Sequence, residues 1–266
     1  MEKNYKFGII GCGNMADAIL GGAIEGKVIK AKEVLVYDTN LESSEKFALK
    51  YGVCVAKSNF DVAKNTEYTL LAVKPQNFET VAKDLTEVSF LISIMAGVKL
   101  NKIFSLIPNL NRAVRIMPNA PARLRKGMSA LAYKSATETD EMFVNSIFSS
   151  IGDTVMVEEE KLDAVTAISG SGPAYVYYFI NSMIDAGVSL GLTKNESERL
   201  TYQTFTGAVE MAKVADTGLD NLIDMVCSKG GTTIEAITHF KNLKTDEIIK
   251  KAIEKCYDRS KELSGE

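Results

Sequence analysis

The chain has 266 residues, of which 46% are hydrophobic and 24% charged, and its net charge is −3. That is the composition of an ordinary globular protein, long enough for one large or two modest domains. Scattered lysines and arginines give no basic stripe for nucleic acid, and no run approaches the ~20 apolar residues of a membrane helix. Four isolated cysteines (Cys12, Cys54, Cys227 and Cys256) without a C-x-x-C pair, and one histidine, His239, argue against a metal site, a disulfide framework or a Ser-His-Asp triad. Glu2, Lys3 and Lys6 precede only four apolar residues, too few for a signal-peptide core, so a cytoplasmic location is expected.

The first element sets the class. Residues 7–10 are a short apolar run that ends in Gly11-Cys12-Gly13-Asn14-Met15-Ala16 and opens into a helical pattern over 15–24, with Gly26 as its stop. This is the strand–turn–helix layout that holds a dinucleotide pyrophosphate. Gly11 suits the tight turn, Gly13 lets backbone N–H groups approach phosphate, and Ala16 still allows close helix–strand packing. The helix N-terminus then meets the anion with unpaired N–H groups and a favourable dipole. Cys12 reads as a small filler in the turn.

A second strand, 33–37, ends at Asp38. An acidic side chain there accepts hydrogen bonds from an adenosine ribose and repels a 2′-phosphate, which favours NADH over NADPH. Two alternatives stay open: Asp38 caps the helix that starts near Leu41, or Asn40, Ser43 and Lys46 accommodate a phosphate.

Helix 42–51 stops at Gly52, and 53–55 is a short third strand. Ser58 and Asp61 have capping-box spacing for a helix opening at Phe60. Residues 68–73 form a buried strand that delivers Lys74-Pro75-Gln76 to the edge where open α/β sheets bind ligands. A helix over 78–85 and a strand over 90–94 follow, the strand ending in Met95-Ala96-Gly97 at the same edge. Helix 100–107, strand 113–116, strand 128–132, helix 140–150 and strand 154–157 complete an alternating half. The expected fold is α/β: an N-terminal Rossmann-like, doubly wound, largely parallel sheet over residues 1–160, followed by an all-α domain over 161–266.

In the second half the strand pattern is absent. Residues 162–168 are helical, Ser169-Gly170-Ser171-Gly172-Pro173 interrupts, and Pro173 starts a long helix over 174–190. That helix is apolar nearly all round and needs cover on every side, which predicts an obligate homodimer built through this half. Assembly beyond the dimer stays open. Thr193 and Glu196 form a capping box for a helix reaching 215, residues 219–226 are another helix, and Thr245 caps a last one to 263. Between them, Ser228-Lys229-Gly230-Gly231-Thr232-Thr233 opens helix 234–241. There the N–H groups of Gly230, Gly231 and Thr232 would point outward as a second anion site, suited to a small carboxylate, with hydroxyls from Thr232 and Thr233. The competing interpretation is a plain helix N-cap with a Gly-Gly hinge.

Taken together, these stretches resemble the pyrroline-5-carboxylate reductase family. The matching runs are Gly8-Ile9-Ile10-Gly11-Cys12-Gly13-Asn14-Met15-Ala16, Ala72-Val73-Lys74-Pro75-Gln76, Ser93-Ile94-Met95-Ala96-Gly97-Val98, Arg115-Ile116-Met117-Pro118-Asn119, Ala167-Ile168-Ser169-Gly170-Ser171-Gly172-Pro173-Ala174-Tyr175 and Val226-Cys227-Ser228-Lys229-Gly230-Gly231-Thr232-Thr233-Ile234. The last two are highly specific to that family. The resemblance implies a Rossmann domain, a helical dimerisation domain with interlocked subunits, and an active site between one subunit's nucleotide domain and the helical domains of the dimer. It implies that Ser228 and the backbone of Gly230, Gly231 and Thr232 hold the substrate carboxylate, and that Thr233 bonds the ring nitrogen and is the catalytic residue. It implies coenzyme contacts from Gly11, Cys12, Gly13, Asn14, Met15, Ala16, Asp38, Asn40, Asn59, Ala72, Val73, Lys74, Pro75, Ala96 and Gly97. Two departures stand out: Lys229, where the family usually has proline, and Asp38-Thr39-Asn40, where many members carry Ser or Arg for a 2′-phosphate.

The implied reaction passes a hydride from NADH or NADPH to a cyclic C=N bond and yields L-proline. A protonated imine needs orientation more than acid catalysis, so His239 reads as structural or surface. The rivals are a reductase of another cyclic imine or a β-hydroxyacid-type substrate, which would lean on Lys161, and a non-catalytic dinucleotide sensor. Neither rival has a use for Gly230-Gly231-Thr232-Thr233.

Overall fold

In a computed structural model, which describes residues 3–265, the chain packs as two units. One runs to Ser171 and takes back the residues from Cys256 on; the other is Gly172–Lys255. The first unit reaches past residue 160 because Leu162, 1% exposed, is buried with Ala130 and Ala132 of the sheet.

The first unit builds one eight-stranded sheet. Its elements are β1 (Tyr5–Ile10), α1 (Asn14–Glu25), β2 (Val34–Tyr37), α2 (Leu41–Tyr51), β3 (Cys54–Val55), α3 (Asn59–Asn65), β4 (Thr66–Leu71), α4 (Phe78–Ala82), β5 (Phe90–Ser93), α5 (Leu100–Leu106), β6 (Ala113–Met117), β7 (Gly127–Lys134), α6 (Glu138–Ser149), β8 (Gly152–Met156) and α7 (Leu162–Val165). The strand order is β3-β2-β1-β4-β5-β6-β7-β8. Neighbours are parallel except β6 and β7, and β8 lies parallel to β7. The connection from Met117 to Gly127 is too short for a parallel crossover, which accounts for the one antiparallel pair.

Alternation along β1 explains its uninterrupted apolar run. Phe7 and Ile9 enter one hydrophobic cluster with Ile19 and Leu20 of α1 and Phe148 of α6; Ile10 enters the other with Val62 of α3, Phe78 of α4 and Ile103 of α5. Both faces of the sheet are therefore covered by helices, as a parallel sheet requires. The strand order reverses at β1, which pairs with β2 on one side and β4 on the other. That switch point opens a crevice at the carboxyl ends of the strands.

The far end of the sheet is pinned by Asp140, whose side chain is 4% exposed. It completes a capping box with Thr137 at the start of α6 and accepts from Tyr68 Oη at 3.1 Å and Arg112 Nη1 at 2.6 Å. One carboxylate thus ties α6 to β4 and to the residue before β6.

After α7 the chain winds through Thr166–Gly170 as a π-helical turn. The Ser-Gly-Ser-Gly-Pro stretch, expected as a break, is wound rather than open. The cause is a 2.8 Å bond from the Ser171 N–H to the Thr166 carbonyl, with Asn119 Nδ2 donating to both the Ser169 carbonyl and hydroxyl at 3.2 Å.

The second unit contains α8 (Gly172–Ser189), α9 (Lys194–Val214), α10 (Leu219–Val226), α11 (Thr232–Asn242) and the first half of α12 (Thr245–Ser264). Thr193 and Glu196 form the expected capping box. Helices α8 and α9 pair closely where Gly187 faces Ser197, whose hydroxyl donates to the Ile184 carbonyl at 2.8 Å. Of the 18 residues of α8, Ile184 alone is buried in the single chain, while Tyr177, Tyr178 and Met183 are 62%, 73% and 45% exposed. So large an apolar face is one that soluble chains cover with a partner.

Candidate active site

The strand ends of the first unit gather four of the expected stretches on one edge. Gly11 ends β1, with φ of +96°, and a Cβ there would lie 2.8 Å from the Ala72 carbonyl oxygen. Only glycine takes that turn without strain. Its N–H donates to the Tyr37 carbonyl and the Ala72 N–H donates to Ile10, both at 2.9 Å, so the ends of β1, β2 and β4 are locked together. Gly13 is different. It has φ of −87°, and a Cβ would meet nothing within 4 Å. Nothing in the chain itself demands glycine at this position; a group approaching the backbone from outside would. Gly13 is also the N-cap of α1 and has no side chain to occupy the amides of Asn14, Met15 and Ala16. An anion fits that cradle.

Asp38 is fixed beside the cradle. Its Oδ2 accepts from the Cys12 N–H at 2.7 Å, its Oδ1 accepts from the Asn40 N–H at 2.8 Å, and its own N–H donates to Ser44 Oγ at 2.8 Å. The capping of α2, one alternative role for Asp38, falls instead to Asn40, whose Oδ1 accepts from the Glu42 N–H at 3.2 Å. Burial, then the Asp38 charge, pushes the Cys12 thiol up to about 12, so it stays protonated and is no nucleophile. A cavity of about 570 Å³ opens next to the turn, lined by Cys12, Gly13, Asn14, Ser43, Lys46 and Lys50 among others. Both lysines already face carboxylates: Lys46 pairs with Glu42 and Lys50 with Asp17, each at 2.8 Å.

Ala72, Val73, Lys74 and Pro75 follow β4 at the same edge, with Lys74 exposed and in no ion pair among the described residues. Ala96, exposed, and Gly97, at φ of +72°, follow β5. Asn59 is the exception. It is 8% exposed and its amide donates to Asp84 Oδ2 at 2.9 Å, so its side chain is spent on packing α3. The sequence reading missed Ser44, fully buried and holding the Asp38 backbone. Its only sequence signal is a polar residue on the inward face of an amphipathic helix.

In the second unit, Ser228-Lys229-Gly230-Gly231 links α10 to α11. Gly230 has φ of +71°, and Gly231 is the N-cap of α11, without a side chain to cap it. One expectation is corrected here. The Gly231 N–H does not point outward; it donates to the Ser228 carbonyl at 2.9 Å and closes the turn. The Gly231 position stays tight because a Cβ there would run into Ser228 Oγ. An anion at this terminus therefore meets the amides of Gly230 and of the first turn of α11, with the Ser228 and Thr232 hydroxyls exposed nearby. His239 lies exposed in the last turn of α11, away from that end. No cluster of His, Cys, Asp and Glu able to hold a metal occurs among the described residues, and no helix there is long and apolar enough to cross a membrane.

A family model described as pyrroline-5-carboxylate reductase dimerisation matches residues 159–263, and one described as NADP oxidoreductase, coenzyme F420-dependent, matches residues 6–97. Over the whole length the chain is 37% identical to the pyrroline-5-carboxylate reductase of Synechocystis, covering 98% of each chain. The chain belongs to the pyrroline-5-carboxylate reductase family. Solved structures agree. The Plasmodium falciparum pyrroline carboxylate reductase, crystallised with NADP bound, superposes with a TM-score of 0.88 at 31% identity, covering 99% of this chain and 100% of that one. The Coxiella burnetii pyrroline-5-carboxylate reductase gives 0.91 at 32% identity, covering 98% and 99%. Family membership fits the two glycine-led helix termini, one on each side of the division at Ser171. The first lies within the oxidoreductase match and the second within the dimerisation match.

Proposed function

We infer that this chain is an NAD(P)H-dependent oxidoreductase that reduces the C=N bond of 1-pyrroline-5-carboxylate to L-proline, the last step of proline biosynthesis. Family membership across nearly the entire chain carries the reading. The bound coenzyme supplies a hydride. On the protonated imine, the hydride's electron pair would form the new C–H bond at carbon and the C=N π pair would become the nitrogen lone pair, the proton already on nitrogen completing the secondary amine. A protonated imine is already electrophilic, so the protein's task is orientation. This suits a site with no histidine in it.

The residue roles follow the chemistry of the two termini. Gly11, Gly13 and the amides of Asn14, Met15 and Ala16 take the pyrophosphate, and Asp38 takes the adenosine ribose. The turns Ala72-Val73-Lys74-Pro75 and Ala96-Gly97 line the coenzyme's reactive end. Ser228 and the amides of Gly230 and Thr232 hold the substrate carboxylate, Gly231 keeps that turn closed, and Thr233 bonds the ring nitrogen. NADH is the preferred coenzyme. Asp38 is held by two backbone N–H groups and cannot swing away from a 2′-phosphate without losing both. The nearby Lys46 and Lys50 are paired with carboxylates rather than left to balance a phosphate. The protein works in the cytoplasm as a homodimer joined through the helical half.

The test is a steady-state assay with racemic 1-pyrroline-5-carboxylate and each coenzyme in turn. Turnover with a lower KM for NADH than NADPH supports the whole reading. Turnover with NADPH preferred removes the role of Asp38, and no turnover with either removes the activity.

A further inference from the structure

The last helix ends inside the first unit, and a side-chain cluster there takes no part in either glycine-rich turn. Asp163, in the first turn of α7, is 4% exposed. Its Oδ1 accepts from Ser260 Oγ at 2.6 Å and from Ser264 Oγ at 3.1 Å. Ser260 is itself buried, and Ser264 Oγ lies 2.9 Å from the Ser260 carbonyl, one helical turn back. A buried carboxylate needs such donors, since desolvation without them is costly. Both donors come from the final two turns of α12. Leu263, which precedes Ser264, abuts Gly97: a Cβ on Gly97 would lie 3.0 Å from the Leu263 carbonyl oxygen and 3.4 Å from its Cβ. The turn after β5 is anchored at its two ends by the buried Met95 and Val98, and between them Gly97 rests on Leu263. Its own side contributes a long 3.4 Å bond from the Met95 N–H to Ser93 Oγ, and Ala96 is exposed.

We propose that Asp163, Ser260 and Ser264 form a latch that seats the end of α12 against Gly97 and so positions the 95–98 turn for the nicotinamide coenzyme. These are positioning residues; none touches a reacting atom. The proposal rests on the reading that Ala96 and Gly97 line the coenzyme. The latch has two consequences. The wall behind the turn is backbone from the last turn of α12, so its geometry depends on how that helix is seated. And the coenzyme side should loosen while the substrate side does not.

The experiment compares wild type with the Ser260→Ala/Ser264→Ala double variant and with Ser264→Ala and Ser264→Thr. The expected result for the double variant is a KM for the reduced coenzyme raised about fivefold, the worth of roughly one hydrogen bond. Turnover at saturation and the KM for 1-pyrroline-5-carboxylate should stay unchanged. Ser264→Thr, which keeps the hydroxyl, should retain the wild-type coenzyme KM where Ser264→Ala does not. A folded double variant with unchanged coenzyme KM, or an equal change in both KM values, overturns the latch. If the double variant does not fold, amide hydrogen exchange of residues 95–98 in Ser264→Ala decides: faster exchange supports the latch and unchanged exchange overturns it. Exchange of the same amides in wild type, with and without coenzyme, tests the underlying reading separately. No slowing on coenzyme addition sinks that reading, whereas slowing with an unaltered double variant sinks the latch alone.

Discussion

The carboxylate of Asp38 lies 2.7 Å from the backbone nitrogen of Cys12 and accepts its hydrogen. The negative charge that ends β2 is thus bonded to the middle residue of the glycine turn that ends β1. That contact fixes the charge where the adenosine ribose of a coenzyme would sit, with Asn40 holding the other oxygen at 2.8 Å. Asp38→Ser removes the charge and keeps a hydrogen-bonding group. It is expected to raise the KM for NADH and lower that for NADPH, narrowing their ratio about tenfold or more or reversing it, in line with the roughly 1.5–3 kcal/mol of a charge-assisted bond. Steady-state kinetics with both coenzymes reads this directly. A wild type that prefers NADPH contradicts the charge argument.

At the other terminus, Thr233 is the second residue of helix α11, two residues after Gly231, whose amide is already spent on Ser228. With that amide engaged, the side chains contribute a larger share of the orienting bonds. Thr233→Ala should lower turnover about tenfold, the upper value of one net hydrogen bond, with coenzyme binding intact. Thr233→Ser should retain most of the activity. The check is turnover at saturating substrate beside a coenzyme titration by fluorescence, and unchanged turnover in the alanine variant removes Thr233 from the reaction.

Much of this was legible because short-range chemistry wrote it. The apolar run into Gly11 gave the first strand and turn, and the pairing of Thr193 with Glu196 gave the start of α9. What was not legible depends on contacts far apart in sequence. Nothing near Asn59 announces that its amide is bonded to Asp84, and nothing near Ser44 announces its bond to the Asp38 backbone. The π-helical turn at Thr166–Gly170 depends on Asn119, about fifty residues earlier. The second unit hid its detail for another reason. Its glycine turn reads as flexible in sequence, and only the fold shows which amide closes it.

The uncovered face of α8 leads to a third expectation. Tyr178 is 73% exposed in the single chain and sits beside Tyr177 at 62%. If a second copy covers this face, Tyr178→Glu places a charge in the interface and forfeits about 1.5–3 kcal/mol of burial per copy. Two copies per dimer raise the dissociation constant about a hundredfold or more. Sedimentation at micromolar concentration should show monomer appearing in the variant and not in wild type. A variant as dimeric as wild type would move the interface off this face.

The last expectation concerns acid stability at the opposite end of the sheet from the coenzyme turn. Burial alone would push the Asp140 carboxyl up, but bonds from Thr137 backbone and hydroxyl, from Tyr68, and the Arg112 charge together hold it below the usual range. Tyr68, buried against the same carboxylate, is pushed up to about 12, so it remains a donor throughout the range of interest. A carboxyl whose pKa is depressed by folding contributes stability that is complete above its unfolded value of about 3.9 and is lost as pH falls through the lower folded value. Asp140→Asn cannot accept all four bonds and leaves Arg112 without its partner. It should therefore cost about 1–3 kcal/mol at neutral pH. As pH falls below about 4 the unfolded carboxyl takes up its proton first and the folded one only at its lower value, so the gap between the two proteins should narrow progressively. Urea unfolding of both proteins between neutral pH and pH 3 reads the difference. A gap that stays constant across that range would show that Asp140 acts through shape and not through its charge.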